Sequence, residues 1–342
     1  MIQIVKIEDA VGYPLAHDIT EIVPEKYKGP SFHKGYVLTC RDLDHLRRLG
    51  KDHLYILKPE KDEMHEDEAA MAIADALCGP GVGWEGEPRE GKISIKATRN
   101  GLLKVDVDAL MRFNLFGDVM CATQHSDKIV KKGEQVAGTR AIPLLIPRHR
   151  VDSAVATAKS AEAGVLRVLP LLEATVGVLI TGSEVYYGRI EDKFEPIIRK
   201  KVKALGGRIH DVAFLPDDDT MIAEAANRLL DEGANILITT GGMSVDPDDR
   251  TRFALKKAGA TDIVYGSAVL PGAMFMMAYL RNLPVLGIPA CGLFARTTIF
   301  DLVYPRVLAG ERITRKEIAA LGHGGLCIKC EPCVYPRCPF GK

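Results

Sequence analysis

Three clusters of acids and glycines stand directly after apolar stretches of this 342-residue sequence. The first is Thr181-Gly182-Ser183-Glu184, running on to Glu191 and Asp192; the second is Asp217-Asp218-Asp219 after Leu215-Pro216. The third and most informative is Thr239-Thr240-Gly241-Gly242-Met243-Ser244-Val245-Asp246-Pro247-Asp248-Asp249. Paired glycines let a ligand approach the backbone closely, and free N–H groups at a helix start can hold a phosphate. Asp246, Asp248 and Asp249 would repel that anion unless a hard cation such as Mg²⁺ stood between them, so a phosphate with Mg²⁺ reconciles both features. Each cluster alone also reads as an ordinary turn or helix cap; repetition at three strand ends points to one shared site.

A second set of reactive groups is Cys327-x-x-Cys330-x-x-Cys333-x-x-x-x-Cys338-Pro339. Four thiolates this close suit one metal centre. The spacing resembles that of bacterial ferredoxins with the last interval one residue longer, and zinc accepts four Cys equally well, with His323 as a substitute ligand. An iron–sulfur cluster and zinc are both expected readings, and disulfides or free thiols the alternative. Cys40, Cys78, Cys121 and Cys291 are scattered singly.

The elements that must carry these groups alternate regularly from about residue 175. Apolar runs at 176–182, 208–215, 234–242 and 284–289 read as strands, and amphipathic stretches at 193–207, 220–233 and 248–259 as helices, with a loop around 270–274 and a long final segment at 294–310. That alternation predicts an α/β fold with a doubly wound parallel sheet, whose ligands bind beyond the carboxyl ends of the strands. Residues 1–172 read as a smaller mixed α+β, β-rich accessory region of one or two subdomains, and 316–342 as a Cys-rich tail after a sheet domain at 173–315. In the accessory region short strands are expected at 2–7, 36–40, 53–57 and 92–97. Helices are expected at 41–50 and 68–79, with a third, rich in Ala and Ser, just before the boundary. Asn100-Gly101 signals a hairpin between 92–97 and the apolar run that follows, and the charged run 58–68 reads as a solvated linker or helix entry.

Composition narrows the function. Hydrophobic residues make up 47% and charged residues 26%, a globular balance, while 45 basic and 45 acidic side chains cancel. A neutral chain without a basic run has no field for a nucleic-acid backbone. No stretch is long and apolar enough for a secretory signal or a membrane span, so a soluble cytoplasmic protein is expected, with no membrane partner.

Taken together and in order, the motifs at 181–185 and 188–194, then 215–219, 239–249, 270–274 and 286–290, resemble the molybdopterin-binding domain of molybdenum cofactor biosynthesis, over about residues 176–308. The Gly-Gly-Met-Ser-Val version is most similar to the molybdopterin molybdotransferase, or molybdenum insertase, branch, and stretches at 17–20, 34–38 and 46–57 look like its accessory regions. The resemblance implies Glu184, Asp217 and Asp249 as catalytic acids, with Asp217 and Asp249 holding Mg²⁺. It implies that Thr181, Gly182, Ser183, Asp192, Gly241, Gly242, Met243, Ser244, Pro271, Gly272 and Pro289 lie against molybdopterin or its adenylylated form. Mg²⁺ would polarise the pyrophosphate and couple AMP release to molybdate entry. Homo-oligomers are expected from the same resemblance.

Departures from the branch bear on that chemistry. Leu270-Pro271-Gly272-Ala273-Met274 replaces a motif with two lysines, Asp192-Lys193-Phe194 replaces Asp-Ser-Asn, and Cys291 stands at a usual Asn. Loss of cations weakens an oxyanion site more than a pterin site. Arg296 offers a replacement charge and Cys291 a soft ligand, against the plainer readings of a solvated Arg and a small buried thiol. Three functions follow: an insertase-like enzyme; a non-catalytic molybdopterin carrier, regulator or chaperone presenting its tail to a molybdoenzyme or redox partner; and a nucleotide-processing enzyme similar to the competence-damage family.

Overall fold

The computed structural model describes residues 2–23, 26–57, 62–243 and 250–342. The chain divides into two compact units, residues 1–99, 103–124 and 130–168 in the first, and 100–102, 125–129 and 169–342 in the second.

In the first unit Ile2–Lys6 pairs antiparallel with His53–Leu57, and Ile19–Val23 with Tyr27–Phe32. Ile7, Leu15, Ile19, Leu38, Leu46 and Leu54 close a small core beneath them. Residues 36–40 do not form the expected strand: Val37 makes one isolated bridge to Pro14, and Cys40 opens a 3-10 turn leading into the helix Leu43–Arg48. A larger core is built on a four-stranded antiparallel sheet, Val82–Gly83, Lys92–Ala97, Gln135–Ala141 and Val119–Thr123 in that spatial order, with Glu66–Leu77, Val107–Asn114 and Arg148–Lys159 as its helices. The hairpin at Asn100-Gly101 is overturned. Lys92–Ala97 has both edges occupied, by Val82–Gly83 and Gln135–Ala141, so Gly101–Val105 joins a different sheet. Within the charged run 58–68, residues 58–61 lie outside the described part, Glu63–His65 pairs with Leu145–Pro147, and Glu66 opens a helix.

The second unit is the expected α/β layer structure. Its strands are β1 (Thr175–Thr181), β2 (Arg208–Leu215), β3 (Ile236–Thr240), β4 (Thr261–Tyr265), β5 (Met276–Leu280) and β6 (Leu283–Ile288), in sheet order β2-β1-β3-β6-β5-β4. The β2, β1, β3 and β6 pairings are parallel; β5 runs antiparallel to β6 and β4 to β5. The sheet is thus mostly parallel with an antiparallel edge. Following directly on the expected loop around 270–274, β5 forms a hairpin with β6 through Arg281 and Asn282, both at positive φ, the conformation a tight two-residue turn demands.

Side chains one residue apart on a strand face opposite ways, and here both faces are buried. Val176, Val178, Ile180, Ile236 and Ile238 enter one core, while Leu179 and Leu237 enter the other. The helices α1 (Phe194–Ala204) and α4 (Ile299–Leu308) supply Ile198, Val202, Phe300 and Val303 to the first; α2 (Asp219–Asp231) and α3 (Thr251–Lys257) supply Ile222, Leu229, Ala254 and Leu255 to the second.

Pro305 lies inside α4. Having no N–H, it leaves the Asp301 carbonyl without its helical donor, and the Tyr335 hydroxyl donates to that oxygen at 3.3 Å. The Cys-rich segment is thus pinned to the helix through an acceptor the proline frees. Tyr335→Phe is expected to cost about 1 kcal/mol, concentrated in residues 326–342; faster amide exchange there, with the sheet unchanged, is the check, and uniform exchange would refute the pin.

Candidate functional site

The carboxyl ends of β1, β3 and β6 are brought level by the register, which sets Ile180 beside Thr240 and Thr240 beside Ile288. These three residues lie in the floor of an open cleft of about 950 Å³. Thr181 fixes the turns above it. Its hydroxyl donates to the Thr240 carbonyl at 3.0 Å and lies 2.8 Å from the Thr251 hydroxyl, which in turn donates to the Gly241 carbonyl at 3.1 Å. Gly241 and Gly242 stand at φ 80° and 54°, and a Cβ on Gly241 would lie 1.9 Å from the Thr181 carbonyl oxygen. Only glycine fits there, since the backbone bends back on the neighbouring strand end.

The walls are largely apolar, from Val185, Ile190, Phe194, Met243, Met274 and Phe294, the last 89% exposed. Glu184, Glu191 and Asp192 line one part, and among the described residues Lys193 is the cation of the lining. Thr240 is 1% exposed, and its hydroxyl has no hydrogen-bond partner among the described residues. A buried, unpaired hydroxyl beside a cleft leaves a donor that a polar ligand can satisfy.

Of the residues singled out by sequence, Thr181, Glu184, Asp192, Gly241, Gly242, Met243 and Pro289 line this cleft. Gly182 and Ser183 do not line it, and Asp217 accepts the Ser183 N–H at 2.9 Å while its own N–H donates to the Ser183 hydroxyl at 3.3 Å. Asp217 therefore fastens the first loop to the second and does not face the cavity. Asp192 also accepts the N–H groups of Phe194 and Glu195 at the start of α1. Asp218 caps α2, and the Met221 and Thr220 N–H groups hold its carboxyl below the usual range; Asp219 pairs with Arg250. Pro271 and Gly272 are drawn to α4, the Pro271 carbonyl accepting the Ile299 N–H at 3.2 Å, so Met274 is the residue of that loop that reaches the cleft. Ser244 and Asp249 lie outside the described residues.

Sequence reasoning missed Thr240, Phe194, Met274 and Phe294. Only Thr240, the last residue of a strand beside a glycine pair, carried a signal. Cys291 does not line the cleft, and burial raises its thiol pKa, as for a small packed cysteine. Arg296 does not line it either; its carbonyl accepts the Lys201 ammonium at 3.2 Å.

Among the described residues no three His, Cys, Asp or Glu side chains are placed to hold an ion. Cys327 and Cys338 pack against the apolar core, and Cys333 lies 3.7 Å from the Thr297 hydroxyl. The segment that carries them is tied to the Leu270 carbonyl through the Cys327 N–H and to α4 through the Tyr335 hydroxyl. The N–H of Tyr335, then the Thr297 hydroxyl, hold the Cys333 thiol pKa below its usual value. Of the pair expected to hold Mg²⁺, Asp217 is engaged with Ser183 and Asp249 lies outside the described residues.

Residues 177–309 match the family described as "Probable molybdopterin binding domain". This stretch is a molybdopterin-binding domain. Residues 4–58 match a family described only as a domain of unknown function. The chain is 28% identical over 198 residues to a molybdopterin molybdenumtransferase of Haemophilus influenzae, covering 55% of this chain and 46% of that one. It is 26% identical over 98 residues to a CinA-like protein of Mycolicibacterium vanbaalenii, covering 29% and 23%. It therefore spans less than half the length of either relative. A solved molybdopterin biosynthesis MoeA protein of Pyrococcus horikosii aligns over 72% of this chain and 79% of its own, at 15% identity and a TM-score of 0.33. The cleft lies inside the molybdopterin-binding domain, at the strand ends where an open α/β sheet takes its ligand. Among the described residues no helix is long and apolar enough to cross a membrane.

Proposed function

We propose that the cleft binds molybdopterin or its adenylylated form and that the protein acts in molybdenum cofactor biosynthesis. The observation that carries this is the unpaired Thr240 hydroxyl in the floor of a roomy cleft inside the molybdopterin-binding domain. Phe194, Met243 and Phe294 give a planar heterocycle apolar surface to lie against. Glu184 and Glu191 are acceptors for the N–H groups of a pterin ring, and Lys193 supplies the charge for a phosphate. Thr240 donates to a ligand oxygen, the partner its hydroxyl does not find among the described residues. With Leu270 and Ala273 where the insertase branch carries its two lysines, holding the cofactor is better supported than inserting the metal. Insertion, with Mg²⁺ as co-substrate ion, is the finer reading.

Anaerobic titration with adenylylated molybdopterin tests the binding. Thr240→Val is expected to weaken it about tenfold, the worth of one hydrogen bond to a charged or strongly polar group. Its thermal midpoint should not fall, because no bond of the free protein is lost. Unchanged affinity, or no saturable binding by the parent protein, defeats the proposal. Adding molybdate and Mg²⁺ then divides the outcomes: AMP release with molybdenum retained means an insertase, and tight binding without turnover a carrier or regulator. Hydrolysis of ADP-ribose without pterin would instead favour a nucleotide-processing enzyme, as the match to a CinA-like protein suggests.

A further inference from the structure

The helix Val107–Asn114 of the first unit has two apolar faces. Ala109 and Phe113 form one of them, fully buried in the larger core. The other faces solvent: Val107 is 64% exposed, Met111 56%, and Leu115, which ends the helix, 77%. This outer stripe is held in place at both ends. Asp106 caps the helix start by accepting the Ala109 N–H at 2.9 Å. At the other end the Asn114 side chain makes two hydrogen bonds to the Cys121 backbone, of 2.9 and 2.8 Å, and Arg150 donates to the Phe116 carbonyl at 2.9 Å.

Spacing and charge together say what covers the stripe. Residues four apart advance about 40° around a helix and ~6 Å along it, so Val107 and Leu115 stand at equal distances on either side of Met111. Asp108 and Arg112 lie on one flank, about 60° and 100° around from Met111. Both are exposed, and neither side chain has a partner among the described residues. A two-fold axis at Met111 would set the helix of a second copy antiparallel to the first and lay this flank against itself in reverse. Met111 then meets Met111, Val107 meets Leu115, and Asp108 stands beside Arg112 twice. A parallel pair would instead bring Asp108 to Asp108 and Arg112 to Arg112, which like charges oppose. The pattern is complementary to its own reverse, as a contact between identical surfaces requires.

We propose that two copies of this chain associate through this helix, antiparallel about Met111, covering Val107, Met111 and Leu115 and forming two Asp108–Arg112 ion pairs at the edge. One short helix from each copy covers less than the ~1,200 Å² at which stable interfaces begin, so the association is weak, with a Kd on the order of 100 μM. The inference does not depend on what the cleft of the second unit binds.

Sedimentation equilibrium of the full chain, from about 5 μM to about 1 mM, makes the test. The parent is expected to show a monomer–dimer equilibrium. Met111→Glu sets two carboxylates together on the axis. It should weaken dimerisation at least about tenfold and leave the urea midpoint of the monomer unchanged, because the side chain it replaces is exposed. Asp108→Arg makes both flank positions positive and Arg112→Asp makes both negative. Each variant alone should dimerise about fivefold or more weakly than the parent, and their equimolar mixture should associate as tightly as the parent or more so. The proposal is overturned if the parent is monomeric throughout, or if Met111→Glu associates like the parent or lowers the urea midpoint. It is equally overturned if the mixed charge variants associate no better than either alone.

Discussion

Gly241→Ala should be the most damaging single change in the molybdopterin-binding domain, costing about 3 kcal/mol or more and abolishing ligand binding in whatever protein still folds. The backbone there has φ 80°, and the added Cβ would meet backbone rather than a flexible side chain: the Thr181 carbonyl oxygen at 1.9 Å and its carbon at 2.8 Å. Relief requires the ends of β1 and β3 to separate, breaking the Thr181, Thr240 and Thr251 hydrogen bonds that shape the cleft. Gly206→Ala is the control. Its φ is 82°, but nothing lies within 4 Å of where its Cβ would stand, so it should lose only the ~1 kcal/mol of the left-handed backbone. Urea midpoints of the two variants make the test, and equal losses would show that close approach to Thr181 is not what requires a glycine.

The second large effect lies in the first unit, at Glu66. This side chain opens the helix Glu66–Leu77, is 6% exposed, and has Gly91 packed so closely that a Cβ there would lie 2.9 Å from its carboxylate oxygen. Burial foremost, then the charge of Asp67, raises its pKa from 4.5 to about 7; Arg140 and Lys34 oppose the shift without cancelling it. The folded protein therefore holds a proton that the unfolded chain has released between about pH 4.5 and 7. Stability from this group is present in full below pH 4.5 and is lost as pH rises to 7, by up to ~3 kcal/mol. Glu66→Gln keeps the shape without the charge. It should leave the protein about as stable as the parent at pH 4.5 and more stable by ~1–3 kcal/mol at pH 8. Denaturant unfolding of both proteins at these two pH values provides the measurement; a difference that does not change with pH would mean that Glu66 is paired in the folded state.

The three strand-end clusters were legible because the chemistry of a strand-to-helix turn is local. Gly241-Gly242 after a buried run, and acids beginning helices, are set by conformations of one or two residues and by the free N–H groups of a helix start. The roles within each cluster were not local. Asp217 and Asp218 are adjacent and chemically identical, yet one ties down Ser183 and the other caps α2, a division made by which loop stands opposite. Met274 reaches the cleft while Pro271 and Gly272, three and two residues earlier, are held by α4.

By itself, the sequence determined the layered α/β character of residues 175–308 and the turns that end its strands, because period-2 and period-3.6 patterning and turn chemistry depend on neighbours along the chain, and the order of its motifs carried the family resemblance. Tertiary structure alone decided the antiparallel edge of the sheet, the packing of cysteines whose spacing would have suited a metal, and which hydroxyls are buried unpaired. Those outcomes depend on competition for partners among segments tens of residues apart. An edge taken by Gln135–Ala141 is closed to Gly101–Val105, and a carbonyl freed by Pro305 is claimed by Tyr335; neither contest is written at any one place in the chain.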